Sequence, residues 1–185
     1  MTAIAAVVEN GQVWIGGDSA GSDGFSIETR CDPKVFVNGP MIFGYTTSFR
    51  MGQLLEHMFA PPAMVQGEQG MAYMVKRFIP AVKECLKDGG FQRTSNAVDQ
   101  GGNFLVGFQG CLYAIESDYQ VGRVTQNYHA CGCGRDIVLG SLHASASASI
   151  APMSAKLRIR MALEAAAEFS AGVRGPFKIL CGPSS

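Results

Sequence analysis

Histidine, tryptophan and surplus charge are what this chain has little of, and each shortage excludes something. Three histidines and one tryptophan occur in 185 residues. The histidines are dispersed and give no cluster at metal-ligand spacing. Lys+Arg and Asp+Glu both number 15, so the formal net charge is zero. The basic stripe that a nucleic-acid surface requires is missing, as are the charge runs that form acidic or basic tails. No apolar run approaches the roughly 20 residues that cross a bilayer, so a membrane is not an expected partner. The first residues show no basic stretch followed by an apolar one, so no secretory signal is expected and the expected location is the cytoplasm. The six cysteines, Cys31, Cys85, Cys111, Cys131, Cys133 and Cys181, lack the rhythm of a disulfide scaffold and are expected to stay reduced. Cys131-Gly132-Cys133 has no second pair to complete a metal site. Neither a metal nor any other cofactor is expected.

What the chain does have is apolar content, 47% of its residues, which excludes a disordered chain. At this length one domain spanning 1–185 is expected, with room for a sizeable core. So much apolar content at zero net charge also points to surfaces covered by oligomerisation. For Trp14, the only tryptophan, a place in the core is expected.

Turn signals and changes of period divide the chain. Residues 2–8 read as a buried strand, Glu9-Asn10-Gly11 as a turn, and 12–17 as the hairpin partner, with Asp18 directly at its end. An extended piece over 25–29 leads to Cys31-Asp32-Pro33. Strands follow over 34–37 and 41–45, turned by Asn38-Gly39-Pro40. Ser48 then caps a helix over 49–59, and residues 70–88 keep helical spacing with a kink or break expected at Pro80. A long polar loop is expected over 88–102. Strands over 104–108 and 112–116, an extended piece near 121–125 and another over 128–131 come next. Two helices, about 135–146 and 154–169, and a strand over 176–181 complete the order. Lys156, Arg158 and Arg160 oppose the dipole in the first half of the second helix, so partners elsewhere are expected for them. Blocks of strands alternating with pairs of helices imply an α+β fold, with antiparallel sheets stacked between helical layers.

Thr2 directly follows the initiator methionine at the head of the first strand. Methionine aminopeptidases remove Met1 when the second residue is small, and that cut leaves Thr2 with a free α-amine beside a β-hydroxyl. One residue then carries nucleophile and base together. While Met1 stays attached, the same nitrogen is a peptide N–H and cannot serve as base.

Thr2 opening the first strand, Asp18 ending the second in Trp-Ile-Gly-Gly-Asp-Ser, and Lys34 in Asp-Pro-Lys-Val-Phe resemble the proteasome β-subunits and the HslV proteases, among the N-terminal nucleophile hydrolases. Ile42-Phe43-Gly44-Tyr45-Thr46-Thr47-Ser48 before a helix resembles the family's glycine-rich turn. Ala130-Cys131-Gly132-Cys133-Gly134 resembles its Gly-Ser-Gly turn. The resemblance implies a four-layer αββα sandwich and a threonine-type peptidase. It also implies a polypeptide substrate, a homo-oligomeric ring or double ring, and an ATP-dependent unfoldase as a possible partner. By the same resemblance the Thr47 N–H is the main oxyanion donor, in a position where the family has glycine, and Cys133 stands where the family has a serine near the amine. Ser170 is the nearest match for a later serine of the family. Ala20, Thr29, Cys31 and Thr46 are expected to line the substrate pocket.

The chemistry of such a site is coherent. A free α-amine has a pKa of about 8, suited to proton transfer near neutral pH. A Lys34 ammonium nearby lowers that value by like-charge repulsion, and Asp18 holds Lys34 charged and in place. Three alternatives stay open at this point: an amidase for a small amide, a ring-forming scaffold without catalysis, and Cys133 as the nucleophile.

Overall fold

The computed structural model describes residues 1–91, 93–95, 98–147 and 151–184. Its first hairpin joins β1 (Ala3–Glu9) to β2 (Gln12–Gly17). Asn10 and Gly11 both take positive φ, 51° and 74°, the combination a two-residue turn needs to match the twist of its strands. β12 (Tyr128–Gly132) and β13 (Lys178–Cys181) complete an antiparallel sheet in the order β12-β1-β2-β13. The second sheet contains β5 (Val35–Asn38), β6 (Met41–Tyr45), β9 (Phe104–Phe108), β10 (Cys111–Ile115) and β11 (Val121–Arg123), in the order β11-β10-β9-β6-β5.

Alternation along the strands sets the layers. Ala3, Ala5 and Val7 pack with Ile159, Ala162 and Leu163 in one core, whereas Ile4 and Ala6 pack with Val35, Ile42 and Leu105 in another. The first core lies under α4 (Arg135–Ser145) and α5 (Ala155–Phe169), and the second fills the gap between the sheets. On the far side Met41, Phe43, Tyr45, Phe104 and Val106 bury against α1 (Phe49–His57), α2 (Gly70–Tyr73) and α3 (Ile79–Asp88). Helices, sheet, sheet and helices make up the four-layer αββα order that the resemblance implies. Residues 3–7 of β1 have no solvent face, which is why all five are apolar. Trp14 is only partly buried, packed against the edge of the α4–α5 core.

Several expectations shift in detail. The break at Pro80 takes the form of a π turn (Met74–Phe78) between α2 and α3, with the Ile79 N–H reaching back to Met74 O. The wide turn makes room for a ring that cannot donate its N–H and would collide with the preceding turn. The polar stretch expected as a loop carries a two-stranded hairpin of β7 (Arg93–Ser95) and β8 (Val98–Gln100), with residues 92, 96 and 97 outside the described residues. The first helix stops at His57, although Phe59 still packs into the core. Of the three cations on α5, Arg158 has partners: it donates to Leu142 O at 3.0 Å and to the Ser145 hydroxyl at 3.2 Å. There it sits at the negative end of α4. Lys156 and Arg160 are exposed to solvent.

Candidate active site

The start of β1 is held from two sides. Thr2, only 6% exposed, donates its N–H to Cys133 Sγ at 3.2 Å. Its carbonyl accepts from the Gly134 N–H at 3.3 Å and lies 3.4 Å from the Cys133 thiol. This contact depends on Gly132, which ends β12 opposite Ala3. Gly132 has φ +98°, and a Cβ there would fall on the Thr2 carbonyl oxygen. Ser170, just past α5, places its hydroxyl 3.8 Å from Cys133 Sγ. Cys131, two residues before Cys133, points instead into the core between the sheets, where burial pushes its thiol upward. With Met1 in place, the Thr2 hydroxyl donates to the Met1 carbonyl.

Asp18 and Lys34 approach the same point from the other side. Asp18 is 1% exposed and Lys34 2%, so each depends on the other and on the backbone for solvation. Asp18 Oδ1 accepts from Lys34 Nζ at 2.9 Å and from the Ala3 N–H at 3.0 Å. Its Oδ2 accepts from the N–H groups of Ala20 at 3.0 Å and Arg174 at 3.4 Å. The carboxylate thus ties the peptide after Thr2 to the lysine. Lys34 Nζ also donates to Met1 O at 3.5 Å. Burial pushes the Lys34 ammonium below its ordinary value, and Asp18 pulls it partly back.

A cleft of about 360 Å³ opens onto Thr2 and Lys34. One wall comes from the small sheet of β3 (Ala20–Ser22) and β4 (Ile27–Thr29), the other from the turn between β6 and α1. Ala20, Thr46 and Thr47 line it; Thr29 and Cys31 do not, and both are exposed. Along this edge Ile27, Glu28 and Arg30 reach the cleft, while Thr29 and Cys31 do not. Arg30 stacks over Phe49 at 4.1 Å and is fastened to Asp32 at 2.6 Å. Arg30 and Phe49 are cleft residues that pattern reading missed; no period marks them, because β4 ends at Thr29 and Phe49 opens α1.

Thr47 takes φ +71°, the left-handed conformation that makes glycine the usual residue in such a turn. Among the described residues no partner is found for its N–H, so that group is free for a ligand in the cleft. Thr2, Asp18, Lys34 and Cys133 converge, and Thr47 lines the same cleft as Thr2 and Lys34. No group of three or more His, Cys, Asp or Glu among the described residues could hold a metal. No helix among them is long and apolar enough to cross a membrane.

No protein-family model and no curated protein sequence matches the chain. Solved structures do resemble it. Thiobacillus denitrificans BPH superposes with a TM-score of 0.82 at 18% identity, over 99% of this chain and 98% of that one. The same protein in complex with epoxomicin gives 0.81, over 99% of both chains. The eukaryotic HslV from Trypanosoma brucei gives 0.67 at 16% identity, over 97% of this chain and 98% of the other. The Anbu (Gly-1) mutant from Hyphomicrobium sp. strain MC1 gives 0.69 at 16% identity, over 97% and 80%. These neighbours are proteasome-type N-terminal nucleophile hydrolases, and theirs is the fold this chain has.

Proposed function

We propose that this chain, with the fold of the proteasome-type N-terminal nucleophile hydrolases, is a threonine-type peptidase whose nucleophile is Thr2 once Met1 is removed. The observation that carries the proposal is the convergence on Thr2 of a buried Lys34–Asp18 pair, at the mouth of an open cleft. In this reading residues 1–185 act as one catalytic domain. The Thr2 hydroxyl gives its proton to its own α-amine, through a water, and its oxygen attacks the carbonyl carbon of a peptide bond. The Thr47 N–H stabilises the oxyanion that forms. The protonated α-amine passes its proton to the leaving amine as the C–N bond breaks. Water then hydrolyses the ester on Thr2 by the same route in reverse. Lys34 keeps the amine unprotonated, Asp18 keeps Lys34 charged, and Cys133 lies against the amine nitrogen with the Ser170 hydroxyl next to its thiol. Ring assembly encloses the site and controls access for polypeptide substrates, with an ATP-dependent unfoldase as the partner class that would feed it.

The test is intact mass before and after incubation with a peptide epoxyketone, which closes a ring only on a free amine and a hydroxyl of one residue. The expected result is loss of the Met1 mass and a single adduct on Thr2, formed equally by the Cys133→Ser variant. An adduct lost in Cys133→Ser and mapping to that thiol would favour the cysteine nucleophile. Retained Met1 with no adduct would favour a ring scaffold without catalysis.

A pH dependence follows from the same arrangement. Raising the pH frees the α-amine to act as base, so kcat/KM rises, and the Lys34 charge places this limb below the ordinary α-amine value of about 8. Burial lowers the Lys34 pKa below the ordinary lysine value of 10.5, but where Lys34 loses its proton the amine is already unprotonated, so the rate levels off. A pH–rate profile on Met1-free protein checks the rise and the plateau, and a rate that does not rise across neutral pH would remove the amine as base.

A further inference from the structure

We infer that the side-chain hydroxyl of Thr47, and not its N–H alone, works in the site: it latches the oxyanion turn onto the Gly102-Asn103 backbone. The inference rests on the proposed role of the Thr47 N–H. A β-branched residue at φ +71° occupies a conformation that glycine enters without cost and threonine does not, so something else must hold it there. Three hydrogen bonds do so. The Thr46 N–H and the Thr46 hydroxyl both donate to Asn103 O, at 3.0 and 2.9 Å. The Asn103 N–H donates to Thr47 Oγ1 at 3.2 Å.

Proton accounting settles the direction of one further contact. The Thr46 hydroxyl has one proton and spends it on Asn103 O, so in the 3.3 Å contact between the two threonine hydroxyls Thr47 is the donor. Thr47 Oγ1 therefore gives to Thr46 and accepts from Asn103, which leaves its rotamer no freedom. The approach is close, and residue 102 is a glycine: a Cβ there would stand 2.7 Å from Met51 Sδ, 2.9 Å from Thr47 Cβ and 3.0 Å from Thr47 Oγ1. Asn103 leads straight into β9, whose Phe104 pairs with Tyr45. The latch thus carries the β6–β9 ladder two residues beyond its formal end and sets the direction of the Thr47 N–H. A glycine at 47 makes the turn easy to form and leaves its peptide plane free to rotate. Threonine with this latch has the opposite balance.

Three variants of the Met1-free protein test the latch. Thr47→Val keeps shape and β-branching but removes the acceptor; Thr47→Ser keeps the hydroxyl. Thr47→Val is expected to lower kcat about tenfold with KM within about twofold, the scale of one lost hydrogen bond. Thr47→Ser is expected to stay within about twofold of the parent in both. Hydrogen exchange of the Asn103 amide, which needs no turnover, is expected to quicken about tenfold in Thr47→Val and not in Thr47→Ser. Thr47→Ala, which lacks the hydroxyl and the branch, is expected to follow Thr47→Val and not Thr47→Ser in both kcat and exchange; it decides the matter if Thr47→Val does not fold. Equal behaviour of the Val and Ser variants in both kcat and exchange, or a loss carried by KM alone, would overturn the latch. A parent protein without turnover or epoxyketone adduct would overturn the proposed function instead, and the exchange measurement would still read the latch.

Discussion

Lys34→Ala is expected to abolish turnover, by about a thousandfold or more, the scale of losing a group that tunes a general base. Two effects combine. Without the ammonium the Thr2 amine loses the charge that keeps it unprotonated near neutral pH. Asp18, 1% exposed, is also left as a buried carboxylate with backbone donors only, those of Ala3, Ala20 and Arg174. Breaking a buried pair from one side costs about 3–5 kcal/mol, so Tm is expected to fall by roughly 6–20 °C for a chain of this size. Assembly is expected to survive, since neither residue reaches the surface. The double variant Lys34→Ala with Asp18→Asn separates the effects: it should recover much of the Tm and none of the turnover. Full activity in Lys34→Ala would end the proposed mechanism. Peptide hydrolysis and a thermal melt on the same preparations make the measurement.

Gly132→Ala is expected to cost both fold and function from a position that holds no chemistry. Its φ of +98° disfavours any side chain by about 1–2 kcal/mol. The added Cβ also collides with backbone, the Thr2 carbonyl, which has no rotamer through which to escape. Relief comes only by moving β12 away from the start of β1. That movement loosens the Gly134 N–H to Thr2 O bond and carries Cys133 away from the Thr2 nitrogen. A displacement of about 1 Å at the nucleophile is enough for roughly a hundredfold loss of kcat. Gly134→Ala serves as the comparison, because its contacts, Ala3 Cβ, Val173 Cγ2 and Ala166 Cβ, are side chains near 3 Å. It should lower Tm with a smaller effect on kcat. If Gly132→Ala retained kcat, the seating of Thr2 on this turn would not matter to the chemistry.

Much of this is legible in the sequence. The strand period of 2–8, the Asn10-Gly11 turn, the helical spacing after Ser48 and the Ser154 cap are local properties. They reappear with boundaries moved by one to a few residues, because capping and turn chemistry act within a few residues of where they are written. Where the reading failed, the deciding contact was remote. The stretch after Asp88 lacks an apolar period, yet its hairpin forms, and the Lys83–Asp99 pair at 2.9 Å ties that hairpin to α3. The Pro80 break takes the form of a π turn in which Met74 and Phe78, like Tyr73 just before it, stay packed in one core.

The residues proposed to carry chemistry were likewise legible in the sequence alone: a threonine behind Met1, an aspartate closing the second strand, a lysine 16 residues on, a cysteine in a glycine turn. Their types and order were enough to name them. Their meeting was not in the sequence: the 2.9 Å contact between Asp18 and Lys34 exists only when two sheets close over a shared core, and the 3.2 Å contact between residues 2 and 133 only when β12 pairs with β1. Which side chains face the cleft was decided there as well. Arg30 and Phe49 do, with the guanidinium stacked on the ring, and Thr29 and Cys31 do not. Composition and period specify local conformation within a few residues; burial, register and close backbone approach specify everything that joins residues far apart.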